Sequence, residues 1–413
     1  MQHCRTKNAL NSAERLTIAG FLATAIGFGP ARVGLGLFMP QFADEFGLSV
    51  ADGGHIASIA FSAFMVALPI TAIFVFRLGP RTPVILACLM ACAGSVLVAT
   101  ASNATMLTAG IVIAGSSAGL CWTPFNDAAR HSLTEDRRNT ALSIIATGTA
   151  TGVVIAGVLS LFTGMGAIHW RHAWWAFAGI ALLAAIVAWF GTPKLEQRQS
   201  MKGFALSHFY GRKAWPLHTL ALVFGATNAV FITFAAKRIA DTGGLPSLVS
   251  DGASAVVFIS YGILGLVGVA AGRLVDRFGL SGVLRVIFAA AALSMVLIAF
   301  APNDWITVIT ASAFHGAALM VVSAVISFWS LRLFPGWSTT GFTAALMALA
   351  IVSLFGPTLV SGLAEQMGGQ VMFGLASVPS VVIASWPGIF PAFPPFRTSP
   401  SRHCYLLTPI PLS

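Results

Sequence analysis

The chain has 413 residues, of which 57% are hydrophobic and only 9% are charged. Soluble globular proteins carry about 25% charged residues, so this composition argues against a soluble enzyme, a nucleic-acid-binding protein and a disordered chain. A membrane-spanning helix needs about 20 apolar residues. The length therefore suits twelve such helices joined by short loops, as in a polytopic membrane protein.

Apolar stretches of helical length follow one another along the chain, and they are too long and too continuous for membrane β-strands. The first six predicted spans are residues 16–41, 54–76, 82–101, 106–128, 140–164 and 172–190. The second six are residues 215–236, 253–275, 282–301, 305–331, 338–363 and 371–391. We therefore predict an all-α membrane protein with twelve transmembrane helices.

A polar stretch separates the two sets of six spans, and a proline-rich stretch follows the last span. The predicted organisation is an N-terminal six-helix bundle at 1–190, a cytoplasmic linker at 191–214, a C-terminal six-helix bundle at 215–391 and a tail at 392–413. Seven prolines lie within 386–413. Because so many prolines cannot continue a helix, we expect the tail to be disordered.

The net charge of +10 has two interpretations, a nucleic-acid footprint or the cytoplasmic bias of membrane-protein loops. With a cytoplasmic N-terminus, nineteen of the 23 Lys and Arg residues fall on the cytoplasmic side. Only Arg171, Lys237 and Arg238 fall on the other side, and Arg32 lies inside the first span. This distribution predicts a multi-pass protein of the cell (inner) membrane with both termini in the cytoplasm. It also argues against a nucleic-acid partner, because the basic residues form no single patch.

Two loops that lie 200 positions apart carry related sequences. FRLGPR follows the second span at 76–81, and GRLVDRFG follows the eighth span at 272–279. A duplicated six-helix unit explains why the same loop of each half carries an Arg-x-Gly element.

The second of these loops resembles G-x-L-A-D-R-x-G-R-R, the loop motif of the major facilitator superfamily. The resemblance covers the chain from the first span to about residue 385 and departs at Phe76, where the family has aspartate. It implies two pseudo-symmetric six-helix bundles that carry a small molecule by alternating access. In the family this loop holds the cytoplasmic helix ends together. The resemblance therefore implies gating roles for Arg77, Gly79, Arg81, Gly272, Asp276, Arg277 and Gly279.

Asp127 and Arg130 stand at the inner end of the fourth span. We consider them candidates for the same cytoplasmic gate, and the alternative is a solvated loop.

Arg32 is the costliest residue to place, because it lies about ten residues, or roughly 15 Å, from the outer end of its span. The neighbouring Gly29 and Pro30 would let the helix bend there. We predict that Arg32 faces a substrate cavity or a gate. The alternatives are an ion pair with Asp44 or Glu45, or a side chain that reaches the interface. A lone buried cation favours an anionic ligand such as a carboxylate.

Other polar and aromatic side chains are also candidates for substrate contact. His315, in the middle of the tenth span, is the best candidate for proton coupling, and the alternative is a neutral histidine bonded to a neighbouring helix. Asn228, near the middle of the seventh span, either binds substrate or joins two helices. Trp122, Asn126 and Tyr261 either contact the ligand or serve for packing.

The leading hypothesis is a secondary active transporter of a small molecule, with an organic anion preferred. The alternatives are an efflux pump for hydrophobic compounds and a non-transporting sensor or scaffold on the same fold. We expect no enzymatic activity, cofactor or metal, and the sequence contains no G-x-x-x-x-G-K-[ST] loop for ATP. The expected partners are the substrate, the lipid bilayer and protons as the candidate coupling ion, with the chain a monomer.

Overall fold

The computed structural model describes residues 2–195, 209–246, 248 and 252–385, and these form helices and loops without a β-strand among them. In chain order the helices are α1 (Gln2–Phe28), α2 (Pro30–Leu37), α3 (Met39–Phe46), α4 (Val50–Leu78), α5 (Arg81–Ala99), α6 (Ala104–Cys121), α7 (Pro124–Ser132), α8 (Glu135–Gly164), α9 (Trp170–Gly191), α10 (Trp215–Asp241), α11 (Gly252–Gly265), α12 (Ala271–Phe300), α13 (Trp305–Leu333) and α14 (Ser338–Ser385). A 3₁₀ segment, Leu266–Ala270, joins α11 to α12.

Two predicted segments fall partly or wholly outside the described residues. The linker predicted at 191–214 is described at 191–195 and 209–214 only. The predicted tail at 392–413 lies outside the described residues, as does the end of the last predicted span at 386–391.

Eleven segments of the described chain are long and apolar enough to cross a membrane. One of them, Gly252–Phe300, has 49 residues. At about 1.5 Å per residue it is more than twice as long as the ~30 Å bilayer core is thick. Its helical conformation is interrupted at Gly279, so this segment crosses twice. The described chain therefore makes twelve crossings, and the predicted all-α, twelve-helix architecture is confirmed.

The two related loops adopt the same backbone conformation. Gly79 has φ 75° and ψ 174°, and Gly279 has φ 75° and ψ 155°. Residues other than glycine are strained in this region because of their Cβ atom. The repeat in the sequence is therefore also a repeat in backbone geometry, since each glycine ends one helix and turns the chain into the next.

We expect Gly279→Ala to lower the free energy of unfolding by about 1–3 kcal/mol, the cost of a Cβ in this backbone region. The added Cβ would meet no atom within 4 Å, so crowding does not contribute. Gly282→Ala is the matched control, because Gly282 is helical and a Cβ there would make only an ordinary contact with Phe278. Thermal unfolding of the purified variants in detergent measures the difference. Equal midpoints for the two variants would contradict the expectation.

The two halves of the molecule touch along α8 and the α11–α12 segment. Residue numbers fall on α8 as they rise on α11, so the two helices run antiparallel. The close pairs are Gly157–Ile259, Val154–Gly262, Ala150–Gly265, Thr147–Gly268 and Asn139–Gly272. The amide of Gly272 also donates to the Ser143 hydroxyl at 3.2 Å. Glycine at these positions lets the two backbones approach each other closely beside the centre of the molecule.

Candidate functional site

Arg32 follows a break in the first predicted span, which is not one continuous helix. α1 ends at Phe28, and α2 begins at Pro30 after Gly29. Proline suits this first helical position because the amide there has no intrahelical partner. A side chain on Gly29 would collide with the backbone of Gly152 on α8. The bend expected at Gly29 and Pro30 is therefore present, and the Arg32 amide donates to the Gly29 carbonyl at 3.1 Å.

The guanidinium of Arg32 lies among three phenyl rings. Its Cζ atom is 4.3 Å from the ring centre of Phe64, 5.0 Å from that of Phe61 and 5.7 Å from that of Phe28. All three distances fall within the ~6 Å range of cation–π attraction. Rings stabilise a cation but carry no net charge, so they leave the positive charge uncompensated.

The ion pair considered for Arg32 is not formed in this structure. Glu45 instead pairs with Arg171 and accepts a hydrogen bond from the Trp170 indole at 2.8 Å. Within the described part of the chain, neither Asp44 nor any other carboxylate pairs with Arg32. Among the described residues, the guanidinium is therefore contacted by aromatic rings and has no carboxylate partner.

Arg32 lines a cavity of about 80 Å³ between the two halves, which we call the central cavity. Its lining residues are Phe28, Arg32, Val33, Phe64, Trp122, Thr149, Val153, Asn228, Ile232, Phe258, Tyr261, Leu319, Met320, Ser323, Leu346 and Leu349. The structure thus brings together four of the five predicted substrate-binding residues, Arg32, Trp122, Asn228 and Tyr261. Ligand pockets usually measure about 300–1,000 Å³, so the cavity in this conformation is smaller than a typical ligand pocket.

Hydrogen-bond donors from both halves face this cavity. The Tyr261 hydroxyl donates to Oδ1 of Asn228 at 2.8 Å, which leaves the amide Nδ2 of Asn228 available as a donor. Asn228 lies thirteen residues from each end of α10. The indole Nε1 of Trp122 and the hydroxyl of Thr149 are buried without a hydrogen-bond partner among the described residues.

His315 is the fifth predicted substrate-binding residue, and the structure does not bring it to the cavity. Its ring stacks on Phe231, with centroids 4.2 Å apart and planes 6° apart, behind Tyr261. Nδ1 of His315 and Ser294 Oγ share a hydrogen bond of 2.7 Å, and Ser294 Oγ also lies 2.9 Å from the Ala291 carbonyl oxygen. His315 is therefore bonded to a neighbouring helix, as in the alternative to proton coupling given above.

The halves also meet at one end of the helix bundle, which we call the basic end. Arg77 lies there at the end of α4, Arg137 at the start of α8 and Arg277 just before the turn at Gly279. Asn126, Ser327 and Ser330 form a buried hydrogen-bonded group, the Asn126 cluster. The Asn126 amide donates to the Ser327 carbonyl at 3.0 Å and to Ser330 Oγ at 3.2 Å. In return, Ser327 Oγ donates to Asn126 Oδ1 at 2.6 Å. These contacts join α7 of the first half to α13 of the second.

Two weaker contacts flank the Asn126 cluster. Ser338 Oγ donates to Asp127 Oδ1 at 3.4 Å, and Thr339 Oγ1 donates to the Thr123 carbonyl at 3.2 Å. Asp127, predicted as a gating residue, therefore lies in the contact between the halves. His131 lies 3.7 Å from the same carboxylate.

The first-half loop is held by aromatic contacts. Phe76, at the family's aspartate position, lies nearly parallel to Trp337 of the second half, with ring centres 6.0 Å apart. Arg81 bonds to the Trp189 carbonyl and lies over the Trp189 ring, so it ties α5 to α9 within one half. Arg77 is exposed at the end of α4.

The remaining predicted gating residues have separate positions. The Arg130 carbonyl accepts from the Arg138 guanidinium at 2.9 Å, within the first half. Asp276 interacts electrostatically with Arg332, within the second half. Arg277 lies 5.5 Å from the Phe278 ring. Of the second loop, Gly272 contacts Asn139 of the other half, and Gly279 forms the turn.

Comparison with known proteins assigns the chain to a family. The Major Facilitator Superfamily profile matches residues 16–279, which is well over half of the chain. The chain belongs to the major facilitator superfamily. An uncharacterized MFS-type transporter of Bacillus subtilis (strain 168), YtbD, is 25% identical over 313 residues, covering 73% of this chain and 76% of the relative.

Solved superfamily structures share the fold. The human organic anion transporter MFSD10 (TETRAN) has a TM-score of 0.69 at 15% identity, covering 90% of this chain and 98% of that one. The E. coli fucose:proton symporter FucP has a TM-score of 0.62 at 16% identity, covering 91% and 98%. Such low identities show the fold alone. The solved structures confirm the predicted fold, and the profile match confirms the predicted superfamily. The chain is a multi-pass membrane transporter.

Residues 115–119 match the letters G-x-S-x-G, the nucleophile element of α/β-hydrolases, but lie inside α6. That element works on a tight turn between a strand and a helix, whereas Ser117 is fully buried within a membrane helix. The motif therefore indicates no hydrolase site.

Sequence reasoning missed several residues around the cavity. The phenyl rings around Arg32 follow i, i+3 and i, i+4 spacing, because Phe28 precedes Arg32 by four residues and Phe61 precedes Phe64 by three. That spacing is a weak signal in a chain with 31 phenylalanines. Thr149 has no sequence signal, since threonine is ordinary in membrane helices.

Proposed function

We propose that the protein is a secondary active transporter that moves a small organic anion across the cell membrane by alternating access to the central cavity. The observation that carries the proposal is the uncompensated guanidinium of Arg32 between the two halves. A buried charge is costly without a partner, and a bound anion supplies the missing negative charge. In this proposal both termini lie in the cytoplasm, as the distribution of basic residues predicts.

The contacts around the cavity support an alternating mechanism. The Asn126 cluster closes the basic end, while α8 and α11 touch along their length. If the halves rock about the α8–α11 contact, the Asn126 cluster separates and the cavity opens to the basic end. The hydrogen bonds of the cluster are short enough to stabilise the closed state of the basic end. They are also few enough to break when the halves rock apart.

Efflux of hydrophobic compounds is the second candidate function. The observation in its favour is the largely apolar lining, which includes Phe64, Phe258 and Leu319. On this alternative the cavity would accept neutral or cationic apolar compounds, and Arg32 would serve only to orient the surrounding rings.

Transport by the purified full chain in proteoliposomes tests the proposal. The probes are labelled benzenesulfonate, a permanent monoanion, and the lipophilic cation tetraphenylphosphonium. We expect saturable uptake of the anion above protein-free vesicles, and an imposed pH gradient tests protons as the coupling ion. Transport of the cation without transport of the anion would overturn the proposal in favour of efflux. Saturable binding without flux of either probe would favour a sensor.

A further inference from the structure

We propose that the central cavity selects monovalent oxyanions on an apolar body, and that Trp122 and Thr149 are the donors that hold the anion beside Arg32. The inference rests on the proposed function and names its substrate class. Carboxylates and sulfonates with an aromatic or branched aliphatic body belong to that class.

The first observation is the pair of buried donors without partners. Trp122 is 4% exposed and Thr149 is 6% exposed, and both line the cavity. Neither Trp122 Nε1 nor Thr149 Oγ1 has a hydrogen-bond partner in the described part of the structure. An indole N–H can only donate, so its missing partner is an acceptor. Other buried atoms of the described chain, such as Trp174 Nε1, also lack a partner. Trp122 and Thr149 differ in that both line the cavity that contains Arg32, so a ligand bound there would meet both donors.

Thr149 differs in this respect from Thr147 and Thr163 on the same helix. Thr147 donates to the Ser143 carbonyl at 2.6 Å, and Thr163 donates to the Leu159 carbonyl at 2.9 Å. This bond to the carbonyl four residues earlier is the usual solution for threonine in a membrane helix. The Thr149 hydroxyl does not make it and remains available to a ligand.

The Trp122 ring packs between rings of both halves, and one of these rings also contacts Arg32. Its ring lies edge-to-face with Phe28 at 5.2 Å and with Phe342 at 5.0 Å, one from each half of the molecule. Phe28 also lies beside the Arg32 guanidinium. The Phe28 ring thus contacts both the Arg32 guanidinium and the Trp122 indole, which places these two groups near each other.

Charge sets the valency of the ligand. Arg32 carries a charge, and the other described residues that line the cavity are uncharged. One guanidinium neutralises one negative charge, and a second negative charge in this apolar site would remain uncompensated. Phosphate monoesters carry about −1.5 to −2 at pH 7 and are therefore disfavoured. A singly charged carboxylate or sulfonate fits.

The cavity lining contributed by the second half determines which non-anionic part of the ligand fits. Phe258, Leu319, Leu346 and Leu349 of the second half present apolar surface. The Asn228 amide, oriented by its bond with Tyr261, adds a donor from the same side. An anion at Arg32 would therefore direct its apolar body towards the second half, so both halves contact the ligand.

Binding to the full chain in detergent, measured by calorimetry, tests the donors. We expect Trp122→Phe and Thr149→Val each to raise the Kd for benzenesulfonate by about ten- to a hundredfold, because each removes a hydrogen bond to a charged group and keeps the shape. Trp174→Phe is the matched control, since Trp174 is also buried with an unpartnered Nε1 but lies outside the cavity lining. Thr163→Val is the control on α8. Both controls should leave the Kd within about twofold of wild type.

A ligand series tests the class. Benzenesulfonamide lacks the charge, methanesulfonate lacks the apolar body, and benzene-1,3-disulfonate adds a second charge. Each should bind at least about tenfold more weakly than benzenesulfonate. Tighter binding of the disulfonate, or wild-type affinity in both Trp122→Phe and Thr149→Val, would overturn this inference and leave the proposed anion transport standing. Absence of binding and transport for every anion would overturn both proposals.

Discussion

Arg32→Gln is expected to lower the initial rate of benzenesulfonate uptake by at least about a hundredfold, while the protein still folds and inserts. Glutamine is polar but uncharged, so a bound anion would be buried without a counter-charge. Removing one partner of a buried ion pair costs about 3–5 kcal/mol, and each 1.4 kcal/mol is about tenfold in affinity. Uptake into proteoliposomes, normalised to the amount of reconstituted protein, measures the effect.

Arg32→Lys separates the charge from the shape of the guanidinium. Lysine keeps the positive charge but loses the planar fork that matches an oxyanion and stacks on aromatic rings. We expect a loss of about tenfold, mainly as a higher KM. Lys213→Gln is the control, because Lys213 is exposed and lies just before α10. A full uptake rate in Arg32→Gln would remove Arg32 from the binding site.

The sequence predicts that Arg32 faces a cavity or a gate, and the reason is physical. A charge in the middle of an apolar span is expensive, so its position alone indicates a cavity or a partner. The neighbouring Gly29 and Pro30 predict the helix break that the structure shows. The loop glycines Gly79 and Gly279 are predictable from the repeated Arg-x-Gly element and the motif, and their positive φ values explain why glycine stands there.

The orientation of polar residues on buried helices is not predictable in this way. α13 is buried on nearly all sides, so periodicity does not indicate which of its faces adjoins the cavity. His315 and Ser323 both lie on α13, yet Ser323 lines the cavity and His315 packs against Phe231. Only the three-dimensional packing distinguishes the two positions.

Contacts between the halves are equally hidden from the sequence. The Asn126 cluster joins residues about 200 positions apart. The family motif directs attention to the charged residues of the two loops, whereas in this chain Phe76 and Trp337 meet across the halves. Because Phe76 departs from the family motif, the motif does not predict which contact this residue makes.

Asn126→Ala is expected to open the basic end of the cavity. The substitution removes three hydrogen bonds between the halves and leaves the Ser327 hydroxyl without its acceptor. At a net value of about 0.5–1.5 kcal/mol per bond, the closed state would lose about 1.5–4.5 kcal/mol. The equilibrium between the two states would therefore shift by about ten- to a thousandfold towards the open state.

Cysteine accessibility measures this shift. Met320 lines the cavity and is 1% exposed, so a membrane-impermeant maleimide reaches Met320→Cys only when the cavity opens. The reporter is introduced after the five native cysteines have been replaced, and labelling is compared from each side of the membrane. We expect Asn126→Ala to accelerate labelling from the basic end by about tenfold or more.

Asn103→Ala is the control for the loss of an asparagine at the opposite end of the α6–α7 segment. Asn103 accepts from the Met106 amide at 2.9 Å and caps α6 at the opposite end, away from the contact between the halves. Its removal should weaken one helix end without changing access from the basic end. If both variants label alike, the effect is a general loosening of the α6–α7 segment. If only Asn126→Ala labels faster, the Asn126 cluster holds the basic end closed in this chain, where Phe76 replaces the family's aspartate.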